Sequence, residues 1–351
     1  MLTVPVDELR RIAKEVLQAA GTPADLAQLV GTSLVDANLA GHDSHGILRL
    51  PGYVTFVRRG DVQPAARAQV THRDRATARV DGAWGWGQPA MQLATETAIE
   101  LAAAHGVSCV AVNRCFHIGR IVPYVETVAR AGFVGIGMSN AGPAVAPHGG
   151  RRRMLGTNPF GWAVPRGEGK EPLSFDIATA GIAEGKLQLA RAKGKRVAPG
   201  LLVTAEGRPS IDPNDFFGGG AILPFGGHKG YGVNLLAQVL GCGLAGMDTS
   251  RYEGPAGANG PVMVVIDVRP FISQERFREE IDALCARIVS SPPAEGVEAV
   301  LLPGDQTIAT RREREAAGIP VPKSTWAQVT TVANELGVAV DEVAREPVTR
   351  R

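Results

Sequence analysis

Aromatic residues make up only 5% of this 351-residue chain, too few for the stacked platforms on which single-stranded nucleic acid lies. Charge of one sign is not in excess either. The 37 Lys and Arg face 35 Asp and Glu, a formal net charge of +2, so no global field draws in nucleic acid or an anionic membrane. Only four cysteines occur, Cys109, Cys115, Cys242 and Cys285, and none forms a CxxC pair. That spacing excludes a zinc knuckle and is far too sparse for a disulfide scaffold, so a reducing, cytoplasmic setting is expected. No His/Asp/Glu cluster shows ligand spacing, and no metal is expected. The most apolar run, Leu235 to Met247, is interrupted by Gln238 and is much shorter than the ~20 residues of a membrane helix. The opening MLTVPVDELRRIAKEVL carries acid early and lacks the basic start of a secretory signal, so none is expected. There is no repeat of fixed period and hence no solenoid.

Several common catalytic signatures are also missing. No GxSxG surrounds Ser44 or Ser139, which removes the hydrolase elbow. The string GIAEGKL is one residue short of a P-loop and ends in Leu187 rather than Ser or Thr. The dinucleotide fingerprint occurs once, as GCGLAG at Gly241 to Gly246. There it closes the helical stretch NLLAQVL instead of following a strand and opening a helix, so the glycines read as helix-end packing with no part in binding.

What is present is a chain with 44% hydrophobic residues and enough length for more than one core. Leu9, Ile12, Ala13, Val16 and Leu17 recur at helical spacing until Gly21, and Thr22-Pro23 restarts a helix with Leu26, Leu29, Val30, Ser33, Leu34 and Ala37 on its apolar face. From about Ala76 the pattern changes to short β-like runs (TARV, GVSCVAV, GFVGIGM, LSFDI, VMVVIDV), separated by helical stretches such as Gln88 to Ala104. The segment from Ala192 to Gly220, rich in Gly, Pro, Lys and Asp, reads as a long surface excursion. Helical spacing returns over Gln274 to Ser290 and Ser324 to Leu336. The expectation is an α/β protein in which residues 1–65 and 303–351 form one helical subdomain around an α/β core at 66–302, with divisions near 120 and 260.

Polar residues sit in glycine-rich strings that let backbone approach a ligand closely. In GHDSHGILRLPGYV, residues 41 to 54, a helical reading puts His45 and Arg49 four apart on one face. An imidazole and a planar guanidinium so placed suit a proton donor and a carboxylate clamp. The plainer reading is a helix capped by Asp43 or Ser44, with both side chains solvated. His117 follows the strand GVSCVAV, either lining a cleft or serving the fold. Asn140, Thr157 and Asn158 offer amide and hydroxyl partners in MSNAGP and LGTNPFG, or are turn residues. Asp176, at the end of the strand LSFDI, fits a site carboxylate or a helix cap. In PFGGHKGYG, glycines surround His228 and Lys229. Lys229 is one of only seven lysines among the 37 basic residues, which suggests phosphate, against a mobile surface loop. Arg151-Arg152-Arg153 either reach a 2′-phosphate or form a solvated loop.

Taken in order, DSHGILRLPGY, HIGR, GMSNA, LGTNPFG, FDIATA, LPFGGHKGYG, LPGDQ and REREAAGIPV resemble the malate/L-lactate dehydrogenase family of the non-Rossmann type. The resemblance runs from residue 6 to about residue 330. The family includes ureidoglycolate, sulfolactate and diketogulonate dehydrogenases and Δ1-piperideine-2-carboxylate reductases. The resemblance implies a family-specific NAD(P)-binding fold with a mixed, mostly antiparallel sheet, a homodimer, and NAD- or NADP-dependent hydride transfer beside the carboxylate of a small substrate. It implies that His45 is the proton donor, with Ser44 and Asp176 as relay partners and His117 a competing acid/base. Arg49 becomes the substrate clamp. Ser174, Phe175, Asp176, Ile177, Ala178, Thr179 and Ala180, the pair His228-Lys229 and the turn Gly304-Asp305-Gln306 become nucleotide contacts. Asn140, Thr157 and Asn158 face nicotinamide or substrate. Two positions depart from the pattern: HIG followed by Arg120 stands where many relatives have HFG, and PGDQ replaces PGE.

The mechanism stands on the residues too, since reducing a 2-oxo acid or a cyclic 2-imino acid needs a donor near neutral pKa and a cation for the carboxylate. A malate- or lactate-type acid is the first expectation and a cyclic imine the second. A hydrolase using Ser44, His45 and Asp176, and a catalytically silent ligand-binding protein of the same fold, are the remaining alternatives.

Overall fold

The computed structural model describes residues 1–247 and 257–340. In chain order its elements are β1 (Leu2–Val4), α1 (Val6–Ala19), α2 (Ala24–Leu39), α3 (Leu50–Arg58), β2 (Gln69–Asp74), β3 (Thr77–Gly85), α4 (Gly87–His105), β4 (Val107–Cys115), α5 (Val122–Arg130), β5 (Val134–Ser139), β6 (Pro159–Val164) and β7 (Leu173–Ala178). They continue with α6 (Glu184–Ala192), β8 (Leu202–Val203), β9 (Pro209–Ser210), α7 (Pro213–Phe217), β10 (Ala221–Ile222), α8 (His228–Gln238), β11 (Pro261–Ile266), α9 (Gln274–Val289), α10 (Asp305–Ala317), β12 (Ile319–Val321) and α11 (Lys323–Glu335).

The expected helical spacing of α1 becomes its buried stripe, with Leu9, Ile12, Ala13, Val16 and Leu17 all fully buried. The two ends of the chain meet because β1 pairs antiparallel with β12, Thr3 opposite Pro320. An apolar cluster gathers residues of α1, α2 and α3 with Ile319, Val321, Val329 and Ala333 from the far end, and Trp86 and Phe116 join it from the sheet side. Residues 341–351 of the expected helical subdomain lie outside the described residues.

Seven strands form the main sheet in the order β2-β3-β4-β11-β5-β6-β7. Only β3 and β4 run parallel, joined by α4 as crossover, and every other pair is antiparallel. This is the mixed, mostly antiparallel sheet expected, with no doubly wound nucleotide fold. Neighbours along β11 point to opposite faces, as strand pleating requires. Met263 packs with α4 and α5 on one face, and Val262 packs with Ala237 of α8 on the other.

Two expectations need correction. The stretch 192–220 is no featureless excursion: β8, β9 and β10 make a small sheet, closed by α7 over a core of Leu187, Leu202, Phe216 and Ile222. Strands of two residues are too short to leave a period in the sequence. Residues 41–54 are not one helix either. Two single 3₁₀ turns, Asp43–His45 and Ile47–Arg49, are separated by Gly46, whose extended ψ of −152° breaks the spiral before α3 begins. The GCGLAG glycines behave as read from the sequence. They lie in and just after a π turn, Val239–Gly243, that closes α8, and a side chain on Gly241 would strike the Gly260 carbonyl.

Candidate active site

The turn carrying Ser44 and His45 is held from beneath by Asn38 on α2. Asn38 donates through Nδ2 to Asp43 (2.7 Å), and its Oδ1 accepts the Ile47 N–H (2.7 Å). Gly46 lies directly over this amide, so that a Cβ there would fall 2.2 Å from Asn38 Oδ1. Arg314 of α10 pairs with Asp43 at 2.7 Å, which engages that carboxylate. Ser44 Oγ lies 3.0 Å from His45 Nδ1, leaving Nε2 for another partner. Arg49 reaches back, its Nε donating to the Ser44 carbonyl at 2.7 Å. Thus Ser44, His45 and Arg49 meet through the turn and not through a helical face.

His117 follows β4 and stacks on His45, with ring centroids 5.6 Å apart and planes 18° from parallel. Gly87 permits the approach of β4 to α4, because a Cβ there would sit 2.0 Å from the Phe116 carbonyl oxygen. Tyr53 of α3 fixes the His117 tautomer. Its hydroxyl accepts from Gln88 Nε2 (3.1 Å), so its single proton goes to His117 Nδ1 (2.7 Å). The Gly119 N–H aims at the same nitrogen, which leaves the ring proton on Nε2. Tyr53 is itself pushed up to about 12, by burial first, and stays a neutral donor.

Positive charge predominates in the site. Burial, then the charges of Arg49, His42 and Arg120, hold His45 down to about 3. His42 is held to about 4, by burial first and then by Arg120, against the opposing charge of Asp43. His117 is held well below its usual range by burial, Arg49 and His45. Lys186, near the start of α6, adds its charge at His42. Gly185 beside it brings α6 against Ser44, where an added Cβ would lie 3.1 Å from the Ser44 Cβ. The result is a set of neutral imidazoles ringed by cations, with no carboxylate bonded to His45. Such a site accepts anions.

Asp176 is engaged elsewhere. Its carboxylate accepts the Val122 N–H at the start of α5 (3.4 Å), which is a helix-capping position. It makes no hydrogen bond with Ser44 or His45 among the described residues, and burial, the largest influence, raises its pKa. Without an acid on His45, and with Ser44 bonded to the imidazole of its own neighbour, the nucleophile–base–acid arrangement of a hydrolase does not form. Asn158 is fully buried and committed to the fold: its Oδ1 accepts the Ala141 N–H, and its Nδ2 donates to Asn234 and Gln238. Asn140 is buried too, with its Oδ1 accepting the Gly260 N–H at 2.6 Å. Thr157 differs, since its carbonyl accepts from Thr179 (2.9 Å) while its half-buried hydroxyl makes no hydrogen bond among the described residues.

The strand from Ser174 through Phe175, Asp176 and Ile177 to Ala178, with Thr179 and Ala180 beyond it, connects two clusters of the remaining residues. At one end Ser174 bonds Glu126 (2.8 Å). Gly304, with its positive φ of 93°, packs a would-be Cβ position 3.4 Å from Ser174. Asp305 closes this turn by accepting the Leu302 N–H (2.8 Å), and Gln306 is exposed beside it. At the other end Ala180 bridges Pro224, and a cavity of about 380 Å³ opens between His148, Gly181, Phe225, Gly226 and Gly227. His228 and Lys229 are exposed there on the first turn of α8. Glycine lining, a lysine and the free N–H groups of an eleven-residue helix together suit a phosphate-bearing ligand. Arg153 of the Arg151–Arg153 run is committed to the fold: it bonds the Gly220 and Phe216 carbonyls and lies over the Phe216 ring.

The family model described as malate/L-lactate dehydrogenase matches residues 4–330. The chain belongs to this family. It is 34% identical to L-sulfolactate dehydrogenase of Methanocaldococcus jannaschii across 97% of this chain and 99% of that protein. It is 32% identical to a Δ1-pyrroline-2-carboxylate/Δ1-piperideine-2-carboxylate reductase of Pseudomonas putida, covering 92% and 94%. The solved structure of the M. jannaschii sulfolactate dehydrogenase superposes with a TM-score of 0.90 at 33% identity, over 98% of this chain and 99% of that one. As a member of the malate/L-lactate dehydrogenase family the protein is an oxidoreductase of hydroxy and oxo acids, and the family implies a nicotinamide cofactor.

Sequence reading did not assign Asn38, His42, Tyr53, Gln88 or Lys186 to the site, and it singled out Arg120 only as a departure from the family pattern that bears on the substrate pocket. His42 and Tyr53 stand inside the string GHDSHGILRLPGYV, and that string was the one available signal for them.

Proposed function

We propose that the protein reduces a small 2-oxo acid to the 2-hydroxy acid, and runs the reverse reaction, with His45 as the proton-transfer group and Arg49 as the carboxylate clamp. The observation that carries this reading is the pairing of an oriented imidazole, His45, with an adjacent guanidinium in a site where positive charge predominates. When bound, NAD(P)H supplies hydride to the carbon next to the carboxylate. Arg49 binds the carboxylate through its planar fork. Ser44 holds the ring so that Nε2 faces the substrate oxygen and gives it a proton, or takes one in oxidation. His117, with its proton on Nε2, hydrogen-bonds the substrate, and the Thr157 hydroxyl adds a further contact. The cavity at the start of α8, with His228 and Lys229, takes cofactor phosphate, and the turn at Gly304 takes another part of the same molecule.

The cations around His42 and His45 disfavour a positively charged imine, so oxo acids stand ahead of cyclic imines as substrates. Leu235, Leu236, Val239 and Leu244, each roughly half exposed along α8 and the turn that ends it, support a homodimer built on this face. The sparse cysteines support a cytoplasmic location. The test is NADH and NADPH oxidation at 340 nm against pyruvate, oxaloacetate, sulfopyruvate, diketogulonate and the two cyclic imines. Turnover of an oxo acid, with KM raised at least tenfold in Arg49→Ala, is expected. Turnover of the imines alone rejects the reading.

A further inference from the structure

Arg120 has no place in the scheme above, yet it is among the most unusual side chains of the protein. It is only 8% exposed, in a class of residue almost never buried without a partner. Its Nε is buried without a hydrogen bond, and among the described residues the guanidinium makes neither a hydrogen bond nor an ion pair. Burial depresses its pKa even though Asp176 and Glu126 act on it from a distance.

The segment carrying Arg120 is fixed. The Ile118 N–H donates to Asn259 Oδ1 (3.1 Å), the Ile118 carbonyl accepts from Tyr124 (2.6 Å), and Ile118 and Ile121 are each 1% exposed. On this segment the guanidinium is held inside the protein, at 8% exposure. The N–H of its chain neighbour Gly119 aims at His117 Nδ1 (3.4 Å), and His117 stacks on His45 at 5.6 Å, so Arg120 stands on the segment that borders the reacting imidazoles, and its charge is felt at His42 and His45. The structure therefore holds two cations at the reacting end, Arg49 and Arg120, and neither has a carboxylate partner among the described residues. Arg49 accounts for one substrate anion. The groups suited to cofactor phosphate lie elsewhere, at the start of α8, in a cavity whose lining does not include Arg120.

We propose that Arg120 binds a second anionic group of the substrate, a carboxylate or sulfonate further along its carbon chain, so that the preferred substrate is a dianionic 2-oxo acid. This rests on the oxo-acid reading given above.

The experiment compares kcat/KM for oxaloacetate and pyruvate, at saturating NAD(P)H, in the native enzyme, Arg120→Met and Arg120→Lys, with NAD(P)H binding followed by fluorescence. The native enzyme is expected to prefer oxaloacetate. Arg120→Met should lower kcat/KM for oxaloacetate on the order of 10- to 100-fold, the loss of one charge-assisted contact, and leave pyruvate and cofactor binding within about threefold. Arg120→Lys keeps the positive charge and should retain part of the preference, which guards against a folding defect in the methionine variant. Equal losses on both acids, or weakened NAD(P)H binding, would overturn the proposal alone. A native enzyme active on pyruvate but not on oxaloacetate overturns it too, with the oxo-acid reading intact. A native enzyme that reduces no oxo acid overturns both.

Discussion

At the scale of single residues the informative fact is the protonation state of His45. The ring is buried among cations and held to about 3, so in the free enzyme it is neutral throughout the working range. A proton is consumed in reduction and released in oxidation, so the ratio of kcat/KM in the two directions must change tenfold per pH unit. With His45 already deprotonated, that change belongs to the reduction. Between about pH 5 and 8, kcat/KM for the oxo acid should fall roughly tenfold per unit as pH rises, with oxidation of the hydroxy acid nearly flat. Initial rates in both directions across this range check it; a flat reduction with oxidation rising tenfold per unit would mean that His45 is protonated in the free enzyme. His45, Ser44 and Arg49 were legible in the sequence because they lie together in DSHGILR. Tyr53 and Gln88 were not, since their value lies in contacts with His117 and with each other across 64 and 35 positions, which no local pattern records.

At the scale of elements the site is a short turn clamped by helices. Asn38 of α2 and Arg314 of α10 hold residues 43–47 from two sides, and α6 covers Ser44. Gly46→Ala would drive a methyl group into the Asn38 amide. This should cost about 2 kcal/mol or more of stability and most of the activity, read as a lower Tm and a lower kcat. An unchanged Tm would show that the turn can yield. A helical reading of residues 41–54 placed His45 and Arg49 correctly as neighbours for the wrong reason, because the extended backbone at Gly46 is set by Asn38, a residue on another element. The strands of the main sheet with clear alternation or long apolar runs were readable. β2 and β6 were not: β2 is exposed along its whole length and buries no stripe, β6 carries a proline and a glycine within its six residues, and β8 to β10 are too short to carry a period.

At the scale of the whole molecule, the two ends of the chain close one apolar layer and the mixed sheet supplies another. The residues proposed to react are set where these layers meet: His45 on the helical side and His117 just past a sheet strand. That division explains why the strings pointing to the family are scattered from one end of the chain to the other and yet serve one reaction. The most direct measurement of the central claim is the kcat of His45→Gln for the best oxo acid, taken together with its NAD(P)H affinity. A fall of about 10²- to 10⁴-fold with cofactor affinity retained is expected for the loss of a general acid. Full activity in that variant would contradict the assignment of His45 and, with it, the account of the site.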